Sequence, residues 1–365
     1  MRKLCYFTIL SVIIGSLLWG ENQVKVIDHP KPLFSMFSDA KTLELNKSIE
    51  AINHKDLRFF AGLGSVTVDK AGNYYLFDFV HCTIIKLDQQ FNYMTIIGRK
   101  GEGPGEFKCR PLRGDQITIG LDNHLYLVNL PGQRINKYTT EGKFLDGFKI
   151  EQIVPTRVAV DKGGNYYLPS LRGHIIDVHD PKMQYKKSFL SAGQLLTFLF
   201  FAPDPCVIKK ADIPRYGRIL YEFISSDELL IVDNYDLSVS IMDIGTGSVK
   251  KKFYVWDDYI LSAYKIKLYQ GKKETETGQV CSYGGAFSYI FIDNSGQIYL
   301  QLSDSNGEKY LCQVTRDGDL KQVYYVAPAE IDEGPPTFFQ RKEDTFVGYT
   351  HYGLYVYKIK EEVKK

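Results

Sequence analysis

The chain repeats one pattern of apolar and polar positions. An apolar run ends near Asp, a Gly/Asn turn follows, and a second run contains Tyr-Leu: VTVDKAGNYYLFDF at 66–79, RVAVDKGGNYYLPS at 157–170 and YIFIDNSGQIYLQL at 289–302. Looser copies are ITIGLDNHLYLVNL at 117–130 and FISSDELLIVDN at 223–234. Short runs bounded by Gly, Asn and Asp are typical of strands and turns. Their return after roughly 40 to 65 residues indicates a β-propeller or a related array.

Each repeat divides into four predicted strands, A to D. In the first repeat these are 64–69, 73–77, 83–87 and 91–97, and further complete blades are predicted at 115–149, 156–190, 218–255 and 287–326. Segment 337–360 supplies only three strands, which would leave an unpaired edge. Residues 42–49, TLELNKSI, alternate apolar and polar positions and can fill that edge. We therefore predict an all-β, six-bladed β-propeller of four-stranded antiparallel blades, closed by an N-terminal strand that completes the C-terminal blade.

The motif order supports a family resemblance. D-x-x-G-N-x-Y, a strand, a Gly-containing turn and a further strand resemble the NHL-type repeat. The run GRKGEGPGEF at 98–107 is similar to the hallmark of the extracytoplasmic bacterial six-bladed β-propeller family, and the repeats cover nearly all of 42–360. The resemblance implies a fold and an extracytoplasmic location, but no activity that can be assigned to individual residues.

The glycine-rich run itself is predicted to be structural. It lies between strands and fails the G-x-G-x-x-G spacing, whereas a dinucleotide site needs a strand followed by a helix N-terminus. Glycines permit a tight backbone between blades. We expect Phe107 to fill a hydrophobic gap there.

The N-terminal residues are typical of an export signal. MRKLCYFTILSVIIGSLLWG at 1–20 has two early positive charges followed by an apolar stretch, as a signal peptide or an uncleaved anchor does. We predict a linker at 21–41, the propeller at 42–360 and a charged tail at 361–365. The predicted location is extracytoplasmic: periplasmic, secreted or envelope-associated. Membrane contact is predicted only through an uncleaved N-terminal segment.

Composition excludes several classes of function. The 45 Lys and Arg balance 43 Asp and Glu without a long basic run, so nucleic acid is not a predicted partner. The six cysteines match no CxxC or zinc-ribbon spacing, which predicts small buried side chains with at most one or two disulfides. No nucleophile elbow, HExxH, P-loop or zinc-binding Cys/His cluster occurs, and this favours a non-catalytic protein.

Propeller geometry predicts one working surface. The B-to-C loops and the D-to-A crossovers emerge on the same side, which we name the crossover face, and the long insertions at 51–63, 98–114, 191–217, 256–286 and 327–336 lie there. The predicted binding residues on it are Asp78, His81, Arg99, Lys100, Arg110, Asn129, Arg172, Asp233, Tyr235 and His351. Asp78, Asn129 and Asp233 occupy equivalent strand ends, where the structural interpretation is a side chain that caps its own turn.

These patterns predict an exported, non-catalytic propeller that binds a protein, peptide or glycan on the crossover face. The alternative is a metal-dependent hydrolase or lyase with its site at the mouth of the central channel. No cofactor, catalytic residue or metal ligand is predicted under the first hypothesis, whereas the alternative places calcium or zinc in the channel.

Overall fold

The structure is a computed structural model. It describes residues 39–52, 59–109, 116–150, 157–170, 174–191, 219–233, 238–254, 273–275, 278–280, 287–303, 308–328 and 336–360. The predicted signal peptide, the charged tail and the linker up to residue 38 lie outside the described residues. The regular elements of the described ranges are β-strands, and none of these ranges contains a helix long and apolar enough to cross a membrane.

Strand β1 (Lys41–Ile49) precedes four antiparallel sheets of four strands each, and neighbours in sequence are neighbours in each sheet. The first sheet contains β2 (Leu63–Val68), β3 (Tyr74–Asp78), β4 (Thr83–Leu87) and β5 (Tyr93–Ile97). Two short parallel strands follow, β6 (Arg99–Lys100) and β7 (Glu106–Phe107). The second sheet contains β8 (Gln116–Ile119), β9 (His124–Asn129), β10 (Arg134–Thr139) and β11 (Phe144–Lys149). The third contains β12 (Ala159–Val160), β13 (Tyr166–Pro169), β14 (His174–His179) and β15 (Tyr185–Ser191). The fourth contains β16 (Ile219–Phe223), β17 (Glu228–Asp233), β18 (Ser238–Asp243) and β19 (Val249–Tyr254).

The rest of the chain forms a short hairpin and a larger sheet. The hairpin pairs β20 (Lys273–Thr275) with β21 (Gly278–Val280). The larger sheet contains β22 (Phe287–Ile292), β23 (Ile298–Ser303), β24 (Lys309–Val314), β25 (Leu320–Val326), β26 (Thr337–Lys342), β27 (Thr345–Thr350) and β28 (Gly353–Ile359), together with β1. Its eight strands run in the order β22-β23-β24-β25-β1-β28-β27-β26.

Strand β1 pairs with both neighbours in this sheet. It runs antiparallel to β28, with Ile49 opposite Leu354, which confirms the predicted pairing of the N-terminal segment with the last strand. Its first three residues also run parallel to β25, with Leu43 opposite Val326. This second edge of β1 joins two groups of four strands into one sheet, so the structure does not show the C-terminal blade as a separate sheet.

The repeated Asp and Tyr of the sequence motif close the turn between the first two strands of a sheet. One carboxylate oxygen of Asp69 accepts a hydrogen bond from the backbone N–H of Asn73 at 2.9 Å. The other accepts from the Asn73 side chain at 2.9 Å and from the Tyr75 hydroxyl at 3.0 Å. Asp161 and Asp293 likewise accept from the backbone four residues later and from a Tyr six residues later. Because a buried carboxylate must be hydrogen-bonded, this motif holds strand and turn together.

Hydrophobic clusters fill the space between successive sheets. They join the first sheet to the second, the second to the third, the third to the fourth, and the fourth to β22–β25. A further cluster lies between the two halves of the eight-stranded sheet. The ring closes where Val347 and Leu354 pack with Leu63 and Val66 of the first sheet. The architecture is therefore an all-β propeller whose sheets stand around a central axis.

Candidate functional site

The inner strands of the propeller surround a cavity of about 480 Å³. Most of its wall residues belong to β2, β8, β16, β22 and β26 or to the turns that follow them, and Arg157 and Val158 before β12 and Tyr349 of β27 also line it. The cavity therefore follows the central channel, and its side chains come from sheets that are far apart in sequence.

Three of these side chains form the channel cluster, which we define as Arg157, Glu222 and Tyr289. Arg157 Nη2 donates to Glu222 Oε2, and the guanidinium carbon lies 5.3 Å from the centroid of the Tyr289 ring. The Arg157 side chain is 14% exposed and that of Glu222 is 31% exposed. Burial by itself would lower the pKa of Arg157, but the negative charge of Glu222 holds that pKa above its ordinary value. Arg157 is therefore a fixed cation inside the channel.

The backbone at Arg157 is also held in place. The buried Tyr221 hydroxyl donates to the Arg157 carbonyl at 2.5 Å, and the Tyr167 carbonyl oxygen lies 3.2 Å from the same hydroxyl. Burial raises the pKa of Tyr221 well above its ordinary value, so this hydroxyl remains a donor at neutral pH.

Lys70, Arg341 and Lys342 also line the cavity near its turn end, and the last two pack against aromatic rings. The Arg341 guanidinium lies 5.4 Å from the Phe346 ring centroid and donates to the Tyr299 hydroxyl. Lys342 Nζ lies 5.1 Å from the Tyr74 ring centroid, and burial lowers its pKa. Both side chains contribute to packing between neighbouring sheets through cation–π contacts.

Asp78, the first predicted binding residue, caps its own turn. It is fully buried at the end of β3. Its Oδ1 accepts from the backbone N–H groups of Val80 and His81 at 3.0 and 2.9 Å. Its Oδ2 accepts from the Ala61 N–H at 2.9 Å and lies 2.9 Å from His81 Nδ1. The structural interpretation of this residue is confirmed, and His81 is held beside it.

Asn129 and Asp233 lie at the ends of β9 and β17, so their strand positions match that of Asp78. Both are buried. Asn129 Nδ2 donates to the Lys108 carbonyl at 2.5 Å and its Oδ1 accepts from the Lys108 N–H at 3.1 Å. This carboxamide therefore fastens the crossover that reaches the second sheet.

The remaining predicted residues differ in exposure. The Arg99 side chain is 82% exposed and its Nε donates to Glu106 Oε1 at 2.8 Å. Lys100 is exposed, and the ring of His351 packs edge-on against Phe79 at 5.8 Å. Arg110, Arg172 and Tyr235 lie outside the described residues. Within the described ranges, no group of three or more His, Cys, Asp and Glu side chains is arranged to hold a metal ion.

The glycine-rich run between the first and second sheets is structural, as predicted. Phe107 is 1% exposed and packs 5.8 Å from the Phe77 ring in the cluster between these sheets. Gly98 has φ +69°, and a Cβ there would lie 2.3 Å from Phe107 Cε1. A disulfide joins Cys82 to Cys109, with Cα atoms 5.6 Å apart, and fastens the end of the run to the turn after β3.

Three exposed apolar side chains on the crossover face were not among the predicted residues. Phe59 is 64% exposed, Val80 56% and Tyr352 48%, and we name them the apolar patch. A single hydrophobic residue in a loop does not indicate a binding site in the sequence. Only the fold brings together the turn after β3, the turn after β27 and the crossover from β1. Arg157 and Glu222 were missed because a single charged residue at the start of a strand pattern does not indicate a site.

No protein-family model matches the chain, and no curated protein sequence matches it. Among solved structures, a predicted exported protein from Bacteroides fragilis is similar with TM-score 0.52 at 14% identity, over 92% of this chain and 98% of that chain. Virginiamycin B lyase from Staphylococcus aureus is similar with TM-score 0.51 at 11% identity, over 87% of this chain and 100% of that chain. The WD40 β-propeller domain of Doa1 has TM-score 0.43 at 11% identity, over 88% and 98% of the two chains. At these identities, the two structures with TM-scores above 0.5 show a shared fold alone.

Proposed function

We propose that this chain is an exported six-bladed β-propeller that binds a protein or peptide on its crossover face. The blade number follows from taking each half of the eight-stranded sheet as one blade beside the four separate sheets. The proposed division is a signal peptide or anchor at 1–20, a linker at 21–41, the propeller at 42–360 and a tail at 361–365.

The apolar patch is the observation that supports this proposal. Phe59, Val80 and Tyr352 are each about half exposed or more, at 64%, 56% and 48%. Exposed apolar side chains that share one face of a folded protein mark interaction sites, and aromatic residues contribute most to protein interfaces. Among protein, peptide and glycan ligands, this chemistry favours the first two.

The patch stands on a fixed backbone. Leu63 lies opposite Asp78 in the first sheet, so the crossover before β2 and the turn after β3 emerge on one face. A Cβ on Gly62 would lie 2.7 Å from Val80 Cγ2, which places Val80 directly over the crossover. The Leu63 N–H donates to the His351 carbonyl at 2.8 Å and so ties in the turn after β27. A surface that is already ordered loses little entropy on binding.

Export is supported by two features of the chain. The N-terminal sequence at 1–20 has the layout of a signal peptide. The Cys82–Cys109 disulfide needs an oxidising compartment to persist, such as the periplasm or the extracellular space.

Site-specific photo-crosslinking in intact producing cells tests the proposal. Benzoylphenylalanine is placed at Tyr352 and, as the control, at Met94 of β5, because both side chains are 48% exposed. We expect a discrete protein adduct at position 352 and none at 94. The purified partner should then bind Phe59→Ser/Val80→Ser at least about 10-fold more weakly, as for a central interface contact. Equal adducts at both positions, no adduct, or unchanged affinity of the double variant contradicts the proposal.

A further inference from the structure

The channel cluster lies in a cavity that nothing in the proposed function uses. Arg157, Glu222 and Tyr289 come from three different sheets and line the same space of about 480 Å³. This volume falls within the roughly 300–1,000 Å³ of small-ligand sites.

The residues around the cluster form one layer across the channel. The turn after four of the inner strands begins with a residue whose N–H donates to the carbonyl four residues later. These residues are Asp69, Gly120, Asp161 and Asp293. The residues four positions before these turns are Ser65, Gln116, Arg157 and Tyr289, and all of them line the cavity. The layer therefore presents a hydroxyl, a carboxamide, a guanidinium and an aromatic ring.

The described residues use only part of the hydrogen-bonding capacity of the ion pair. Within the described part of the chain, Arg157 donates only through Nη2 and Glu222 accepts only through Oε2. A guanidinium carries five N–H donors and a carboxylate has two acceptor oxygens. Arg157 Nε and Nη1, together with Glu222 Oε1, have no hydrogen-bond partner among the described residues.

Structural stability alone does not account for this pair. A largely buried ion pair adds little net stability, because the desolvation of both charges offsets their attraction. The guanidinium is nevertheless held against the Tyr289 ring at 5.3 Å, and its backbone is held by the Tyr221 hydroxyl. Such pre-ordering is characteristic of binding sites.

The charges select the class of ligand. Arg157 and Glu222 neutralise each other, so an anion is repelled by Glu222 and a cation by Arg157. Neighbouring hydroxyls of a sugar can accept from the guanidinium and donate to the carboxylate at the same time. We propose that the central channel binds a neutral saccharide through Arg157 and Glu222, beside Tyr289.

Ligand titration of the full chain tests this site. The neutral probes are mannose, N-acetylglucosamine, maltose and lactose, and the anionic probes are glucuronate and citrate. Binding of each probe is measured by saturation-transfer NMR and calorimetry. We expect a neutral saccharide to bind. Arg157→Gln/Glu222→Gln should weaken that binding by about 10-fold or more, as expected for loss of hydrogen bonds to charged groups. Removing both charges avoids leaving one of them unpaired.

A matched cluster outside the cavity supplies the control. Lys137 Nζ lies 3.0 Å from Asp122 Oδ2 and 5.4 Å from the Tyr126 ring centroid, and none of the three lines the cavity. Lys137→Gln/Asp122→Asn should leave saccharide binding unchanged. The proposal is overturned if no neutral saccharide binds, if only glucuronate or citrate binds, or if both double variants bind equally. Phe59→Ser/Val80→Ser should retain the saccharide, so this outcome is independent of the crossover-face proposal.

Discussion

Leu43 lies where β1 joins the two halves of the eight-stranded sheet. It is opposite Val326 of β25 and Ile359 of β28, and its side chain is fully buried. Leu43→Ala removes three buried carbon groups, a transfer loss of about 2.4 kcal/mol at about 0.8 kcal/mol each. The cavity left behind brings the expected loss into the range of about 2–5 kcal/mol.

Leu45 provides the control in the same strand. Leu45 is 37% exposed, so Leu45→Ala removes a side chain that water already reaches. We expect that substitution to cost less than about 1 kcal/mol. Urea unfolding followed by circular dichroism gives the free energies of unfolding. Hydrogen exchange of the β25 and β28 amides reports the local effect, because both strands pair with β1.

The reasoning is refuted if Leu43→Ala costs less than about 1 kcal/mol, or no more than Leu45→Ala, since a buried leucine at an essential junction must cost more. Exchange that accelerates equally in all sheets would contradict the assigned role of β1. That result would mean that the ring does not open at this strand.

Substitutions at two glycines and at two buried tyrosines test packing and hydrogen bonding within the propeller. Gly98→Ala should lower the free energy of unfolding in urea by about 2–4 kcal/mol, because a Cβ would overlap Phe107 and φ is +69°. Gly296→Ala is the control and should cost only about 1 kcal/mol, because φ is +77° there but nothing lies within 4 Å of the new Cβ. Equal costs would contradict the overlap with Phe107. Burial raises the pKa of Tyr138 and of Tyr357 to about 12 in the folded protein. Because these hydroxyls ionise at lower pH in the unfolded chain, the free energy of unfolding should fall as pH rises from 10 to 12. Either Phe variant should lose less stability over that range. At pH 7, Tyr138→Phe should lower the free energy of unfolding by about 1 kcal/mol, because the Tyr138 hydroxyl donates to a carbonyl at 3.1 Å. Tyr357→Phe should leave it unchanged, because the Tyr357 hydroxyl has no partner in the described part of the chain. An equal loss of stability in the two variants would contradict this difference.

Local sequence predicted the strands and their closure well. Asp69 and Tyr75 are close in sequence, and their hydrogen bond requires only the turn between them. The pairing of β1 with β28 was predicted because the last three strands left one sheet edge unpaired and residues 42–49 alternate apolar and polar positions. The join between β1 and β25 was missed, because nothing in the residues of β1 specifies that its second edge also pairs.

The candidate sites were predicted less well, because they depend on distant sheets. Arg157 and Glu222 are 65 residues apart. Arg157 opens the repeat at 157–170 and Glu222 directly precedes the copy at 223–234, but neither residue recurs in the other repeats. Asp78 and Asn129 were conspicuous because they recur at strand ends, yet both bond to nearby backbone. Both side chains therefore have a structural role, and their part in binding stays a prediction.

A propeller built from similar sheets needs asymmetry to bind one ligand on its axis. Residues that recur in three of the repeats, such as Asp161 and Tyr167, perform the same task in their own sheets. The layer across the channel is instead formed by positions that differ between repeats, with Gln116, Arg157 and Tyr289 at equivalent places. Because a ligand on the axis contacts several sheets at once, only positions that differ can give it one orientation. The departures from the repeat, rather than the repeat itself, are therefore where binding specificity is expected in this chain.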